Sequence, residues 1–427
     1  MKKAFVISWY FPPVNSSEGL VTFKLLKNSK YKYDVFTQKD NLSWTYGNKE
    51  ERLVSKNINT IFSKSSELRE WINEGIEYFK KHHDEYEYIM SRAMAPESHE
   101  MALEIKRLFP KVKWIASFGD PIYNSPFTKF YRESSPYAAS GFEIGIIGFK
   151  TLLSPKRIIK NMIWNYRMNH YLKKYDTEPR YKIIESNTLE NADRIILNNP
   201  YELEHMLLSN KGFEEKVIIL PHSFDKDFYP NKKLKNTDGK IHVSFLGHLD
   251  RARTPKQLLK AIKRLLENDP DLPNKIAFDF YGDMDDSDKL YIINNFLLDV
   301  IHFKKSVDYF ESLEIMKNSD WLLNVDTNFG NTLKTNIYFP AKLADYMGSG
   351  SNIISISMDS GPTADIMREN NQVLVSFSED EIYMRLKQII ENKISREDVN
   401  KNIDKYNAIN VAKSYDKFVE EFVKDTK

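Results

Sequence analysis

The sequence predicts an α/β protein built from two doubly wound domains. Two features carry that prediction. Short, continuous apolar runs recur along the chain without the alternation of a half-exposed sheet, the pattern of strands buried on both faces. Longer stretches with helical spacing separate them, and this rhythm builds parallel sheets with helices on either side.

In the first half, strands are predicted at Ala4–Ile7, Asp34–Phe36, Ile58–Phe62, Tyr88–Met90, Val112–Phe118, Arg194–Leu197 and Val217–Leu220. In the second half they fall at His242–Leu246, Ile276–Tyr281, Val300–Phe303, Trp321–Val325, Ile353–Ile356 and Val373–Val375. The boundary is expected after Val217–Leu220, where Pro221-His222-Ser223-Phe224-Asp225 leads into a polar stretch ending at Gly239. This gives a first domain over 1–222, a second over 223–404 and a closing segment over 405–427. Val411, Tyr415, Phe418, Val419 and Phe422 mark one face of an amphipathic helix in that segment. It packs either on the second domain or back on the first, and a return to the first is the expectation.

The segment 121–182 breaks the rhythm and reads as a helical insertion. Residues 150–182 hold nine Lys or Arg against Asp176 and Glu178, interleaved with Trp164, Tyr166, Tyr171 and Tyr175. Such a stretch suits the surface of an anionic bilayer; a solvated hairpin packed on its own domain is the plainer alternative.

Composition closes off several classes. With 29% charged and 41% hydrophobic residues, the 427-residue chain has an ordinary globular make-up. A net charge of +2 argues against a nucleic-acid binder. The absence of cysteine removes thiolate metal sites, iron–sulfur clusters and a Cys nucleophile. Ala4–Ile7 is shorter than the about 7–15 residues of a signal-peptide core, and no apolar run approaches the roughly 20 of a membrane span. A cytoplasmic protein is expected, peripheral at the inner face of the membrane if the basic segment touches lipid.

Ligands of doubly wound domains collect beyond the carboxyl ends of the strands. Four strand-to-helix junctions carry unusual residues. After the first strand, Phe11 to Leu20 includes Gly19, which permits close backbone approach at a helix start, although a plain turn reads as well. Neither GxGxxG nor GxxxxGK[ST] is present. After His242–Leu246 comes Gly247-His248-Leu249-Asp250-Arg251-Ala252-Arg253-Thr254-Pro255, with Thr254 as N-cap and Pro255 as first helical residue. Arg253 then lies beside the positive end of a helix, which makes sense where an anion joins them; a surface ion pair is the alternative. In Phe339 to Gly350, Lys342 and Asp345 share a helical face. They read as a cation for phosphate with a carboxylate for a ribose diol, or as a salt bridge with each other. Ser360-Gly361-Pro362-Thr363 leaves N–H groups free before the next helix.

No metal site is expected. The acidic run Asp283 to Asp288 lacks the glycine and glutamate of a calcium loop, and a solvated loop is preferred to a DxD metal motif. The nine histidines form no HxH or HxxxH pair, and there is no GxSxG elbow.

Taken in order, these motifs resemble the family-4 (group 1) retaining nucleotide-sugar glycosyltransferases of the GT-B fold. Ile7 to Gly19 looks like that family's first strand and glycine loop, and Ala192-Asp193-Arg194-Ile195-Ile196-Leu197 like its late first-domain strand. Leu220 to Asp225 is similar to its "PNGxD" signature, while Phe245-Leu246-Gly247 with Arg253, and Pro340 to Gly350, resemble its donor site. The resemblance implies that Arg253 and Lys342 neutralise a donor diphosphate and that Asp345 holds the ribose. It implies that Gly19, Gly247, Arg251, Gly361 and Pro362 line the donor, with Asp120 a catalytic residue near the acceptor. It implies a nucleoside-diphosphate sugar donor, UDP-linked, with neither metal nor cofactor, and a glycan acceptor. The basic segment favours a lipid-linked acceptor in bacterial capsule or cell-surface polysaccharide synthesis. Two departures stand out. Ile337 occupies the first position of the family's E-x7-E pair, and His248 stands where many members have arginine. An inactive sugar-nucleotide-binding protein and a protein-O-glycosylating transferase are the alternatives.

Overall fold

A computed structural model describes residues 3–39, 51–127, 130, 179–234, 236–250, 252–330, 332–392 and 402–424. Arg251 and residues 131–178, hence most of the basic segment 150–182, lie outside these.

The first sheet contains β1 (Lys3–Ser8), β2 (Lys32–Thr37), β3 (Ile58–Phe62), β4 (Tyr86–Arg92), β5 (Lys113–Ser117), β6 (Arg194–Leu197) and β7 (Val217–Ile219). Its order is β3-β2-β1-β4-β5-β6-β7, with every pairing parallel. Around it lie α1 (Ser17–Asn28), α2 (Leu68–His82), α3 (Glu97–Leu108), α4 (Pro179–Asn191) and α5 (Pro200–Met206). The second sheet contains β8 (Ile241–Leu246), β9 (Ile276–Tyr281), β10 (Ile301–Lys304), β11 (Trp321–Val325), β12 (Asn352–Ile356) and β13 (Val373–Val375). It is parallel in the order β10-β9-β8-β11-β12-β13. Its helices are α6 (Lys256–Asn268), α7 (Asp286–Asn294), α8 (Tyr309–Asn318), α9 (Ala341–Ser349), α10 (Pro362–Glu369) and α11 (Glu379–Ile390). The last helix is α12 (Ala408–Lys424).

Central strands are mostly apolar because both faces are covered: every residue of β11 and β12 is buried, with Asn324 and Ser355 hydrogen-bonded to each other. Edge strand β3 is half exposed and accordingly mixes Asn59 and Thr60 with its apolar residues. The order of each sheet reverses between β1 and β4 and between β8 and β11, which opens a crevice at each reversal.

One face of each sheet has its own core, under α2 and α3 in the first domain and under α6 and α11 in the second. The remaining two faces share a core in which Leu20, Phe23 and Leu26 of α1 meet Phe310 of α8 and Leu343 and Met347 of α9. Inside it Lys24 and Asp345 form an ion pair of 2.6 Å, both side chains less than a tenth exposed. The chain crosses between the domains twice, side by side. Phe224 donates its N–H to the Tyr406 carbonyl and accepts from the Ala408 N–H, each at 2.9 Å. Beyond this crossing α12 lies on the first domain: Ser29 Oγ bonds Asp416 at 2.5 Å, the Tyr88 and Tyr415 hydroxyls meet at 2.9 Å, and Lys113 Nζ donates to the Phe422 carbonyl at 2.7 Å.

Candidate active site

The ends of β4, β5 and β6 build the first wall. Arg92, buried at the end of β4, donates through Nε to Glu18 at 2.9 Å and through Nη1 to Ser117 Oγ and the Phe118 carbonyl. Asp120 follows two residues later, and its carboxylate has no hydrogen-bond or ion-pair partner among the described residues. Burial, with Glu18 adding repulsion, pushes its carboxyl up to about 7 against the pull of Arg92 and Arg253. Behind it stands Glu202. Its Oε2 accepts the Asn198 N–H at 3.1 Å, its Oε1 is buried without a partner, and burial and Asp120 push it up to about 8. Asn198 in turn donates to the Gly119 carbonyl at 2.6 Å and fixes the loop that carries Asp120.

The opposite wall comes from the second domain. Gly247 and Gly282 follow β8 and β9 at φ of +134° and +125°. A Cβ on Gly282 would lie 2.0 Å from the Gly247 carbonyl oxygen, so only glycine lets the two loops stack. Lys342 rises from the first turn of α9, its Nζ 4.2 Å from the centre of the Phe245 ring, with no anionic partner within ion-pair reach among the described residues. Burial and neighbouring Arg253 bring its ammonium down to about 7, against the pull of Asp326. Asp326, at the end of β11, is buried among hydrogen bonds from Asn324, Asn336 and Ser357. Gly361 caps α10 at φ +128°, where a Cβ would meet the Asn336 carbonyl oxygen at 2.1 Å. Pro362 follows as the first helical residue.

The structure thus brings Asp120, Arg253 and Lys342 into one electrostatic neighbourhood drawn from both domains. Arg253 makes no ion pair among the described residues; its guanidinium carbon sits 5.4 Å from the Phe127 ring centre. The surface ion pair considered for it is not formed.

Asp345 needs correction. It does not join Lys342 in the cleft: its carboxylate is held by Lys24 Nζ at 2.6 Å and by the Tyr309 hydroxyl at 3.2 Å, inside the core shared by the domains. That side of α9 faces α1, so neither the ribose contact nor the salt bridge with Lys342 suits its geometry. A smaller correction concerns α6, which begins at Lys256 with Pro255 as its cap, one residue later than the spacing implied; Thr254 Oγ1 still accepts the Lys256 N–H at 3.3 Å. Gly19 lies in the first turn of α1 against the backbone of Phe11. The acidic run is solvated only in part: Asp283 is exposed and pairs with Lys289 at 2.6 Å, whereas Asp288 is buried, and burial with Asp285 pushes its carboxyl up to about 6. No group of three metal-binding side chains occurs among the described residues.

Sequence reasoning missed Glu202, Asp326 and Tyr338. Asp326 directly follows an apolar strand, and the strand-end rule applied there would have singled it out. Glu202 reads locally as a helix-start residue after the Asn199 cap, and Tyr338 carries no local signal.

Because burial and Arg253 bring Lys342 down toward neutrality, binding an anion that prefers its charged form takes up a proton from solvent at higher pH. Affinity for an anion of constant charge, sulfate, measured by calorimetry from pH 7 to 9, is expected to fall by up to about tenfold per pH unit. Lys342→Arg, always charged, should flatten that dependence.

Residues 225–406 match the family described as glycosyl transferases group 1. No curated protein sequence matches the chain. Among solved structures it resembles the sucrose-phosphate synthase of Thermosynechococcus elongatus, with a TM-score of 0.65 at 15% identity over 99% of both chains. It also resembles WaaG, a glycosyltransferase involved in lipopolysaccharide biosynthesis, with a TM-score of 0.57 at 11% identity over 98% of this chain and 99% of that one. The S. aureus MnaA–UDP structure aligns with a TM-score of 0.54 at 12% identity over 99% and 97%. The second domain thus carries the match to the group 1 glycosyl transferases, and the whole chain shares its two-domain fold with these solved structures.

Proposed function

We propose that this glycosyltransferase moves a sugar, with retention, from a UDP-sugar to a hydroxyl of a glycan acceptor, without a metal. The observation that carries the reading is the pair of cations, Arg253 and Lys342, held in the cleft without counter-ions of their own among the described residues, opposite Asp120. Bringing two cations together in a partly desolvated site is costly unless an anion of matching charge arrives, and a diphosphate supplies it.

The chemistry follows. As the bond from the anomeric carbon to the diphosphate breaks, negative charge grows on the leaving oxygen and positive charge on the carbon. Arg253 and Lys342 meet the first, and the free N–H groups at the start of α10 add to them. The acceptor hydroxyl approaches from the face the diphosphate leaves, the new glycosidic bond forms, and the hydroxyl proton passes to the departing phosphate. Asp120, on the opposite wall, orients that hydroxyl. Closure of the two domains about the paired crossing at Phe224 and Tyr406 completes the site. The basic segment 150–182 and the lipopolysaccharide role of the WaaG neighbour support a lipid-linked acceptor in cell-surface polysaccharide synthesis at the cytoplasmic face of the membrane. Among the described residues no helix is long and apolar enough to cross a membrane, and contact would be peripheral.

A panel of nucleotide sugars, read by thermal shift and by donor hydrolysis with EDTA present, tests this. The expected result is one UDP-sugar that raises the melting temperature and is consumed, unaffected by chelation. Consumption abolished by EDTA would overturn the metal-independent mechanism. Binding without consumption, even with glycan acceptors supplied, would favour the second reading, an inactive sugar-nucleotide binder. One observation supports that reading: apolar Ile337 stands at the first E-x7-E position, with its carbonyl bound by Asn199 at 2.9 Å.

A further inference from the structure

Phe127 ends the loop that follows β5 in the first domain, yet its ring packs on the second. It lies edge-on to Phe329, with centres 5.8 Å apart at 70°, and to Tyr338, 5.6 Å apart at 87°. The Tyr338 hydroxyl accepts the Phe127 N–H at 3.2 Å and bonds Ser125 Oγ at 2.9 Å. One residue away, the Ile337 carbonyl accepts from Asn199 Nδ2 of the first domain. Residues 337–338 therefore latch the first-domain loop across the cleft. What the latch presents to the second domain's arginine is an aromatic face, 5.4 Å from the Arg253 guanidinium carbon.

That arrangement answers a physical problem. Arg253 is long and rotamer-rich, and it must point toward Lys342, a like charge. A carboxylate partner would hold it but would cancel the charge a diphosphate needs. A ring face attracts the guanidinium and narrows its directions while leaving its charge and its N–H fork available. We propose that Phe127 is a positioning residue of the donor site, aiming Arg253 of the opposite domain at the diphosphate while Tyr338 latches the two domains together. The proposal rests on the reading of Arg253 as a diphosphate ligand.

The test is a double-mutant cycle on the full chain, with calorimetric binding of inorganic pyrophosphate as the readout. Phe127→Leu keeps apolar volume and loses the ring; it is expected to weaken binding about 3–20-fold in the wild-type background. In the Arg253→Ala background the same substitution is expected to change binding less than twofold. Phe127→Tyr, which restores the ring face, is expected to restore affinity. Equal losses in both backgrounds would make the ring merely structural and overturn the proposal. So would an undiminished Phe127→Leu affinity, or a wild-type protein that does not bind pyrophosphate. Tyr338→Phe keeps its ring and loses both hydroxyl bonds, so it tests the latch even where Phe127→Leu fails to fold. It is expected to weaken binding about two- to fivefold, again only with Arg253 present, and a loss persisting without Arg253 would count against the latch. Failure of the functional reading looks different: the pyrophosphate cycle stays intact while no nucleotide sugar is consumed.

Discussion

Replacing Arg253 by alanine is expected to lower turnover by about 10²–10³-fold, the scale of removing one donor from a developing anion. The argument is geometric. Arg253 and Lys342 occupy one neighbourhood, and Arg92, the other arginine acting on Asp120, is already paired with Glu18. Loss of Arg253 should also lift Lys342 back toward its ordinary value, because the repulsion that helps hold it down disappears. The pH dependence of anion binding should then move to higher pH as turnover falls. Steady-state kinetics across the pH range reads both effects, and wild-type turnover in the variant would remove Arg253 from the site.

Replacing Lys24 by methionine is expected to destabilise the protein by about 3–5 kcal/mol, because it strands the Asp345 carboxylate in the core. Lys24 is 2% exposed and also donates to the Ser223 carbonyl at 3.0 Å, so one side chain serves α1, α9 and the crossing segment at once. Converting both partners, Lys24→Met with Asp345→Leu, should recover most of the loss, since two apolar groups replace two desolvated charges. Chemical denaturation of the two single variants and the double measures this. Additive losses would show that the ion pair is not the source of the effect.

The strands were legible because burial on both faces writes itself as an apolar run, and each of the thirteen predicted runs overlaps an observed strand. Junction residues were legible for a related reason: strand ends in a parallel sheet point at the ligand crevice, so Gly247, Lys342 and Gly361 could be picked by position. Side-chain direction across the domains was not legible. Lys24 and Asp345 are separated by 321 residues, and nothing in the spacing of α1 distinguishes Lys24 from a solvated helix lysine. The i,i+3 spacing of Lys342 and Asp345 suggested a shared face, but the packing of α1 on α9 draws Asp345 away. Tyr338 and Phe127 escaped for the same reason, since each acquires its meaning from a partner in the other domain.

The return of α12 to the first domain sets an order of assembly during synthesis. Tyr33 and Tyr88 and the flank of α1 leave the ribosome first, but the Tyr415 and Asp416 side chains that cover them emerge only after the entire second domain. Until then the nascent first domain presents an uncovered apolar flank, and the second domain must fold while tethered to an unfinished neighbour. A chain stalled before residue 408 would display that flank to chaperones, whereas release of residues 408–424 lets both domains close at once.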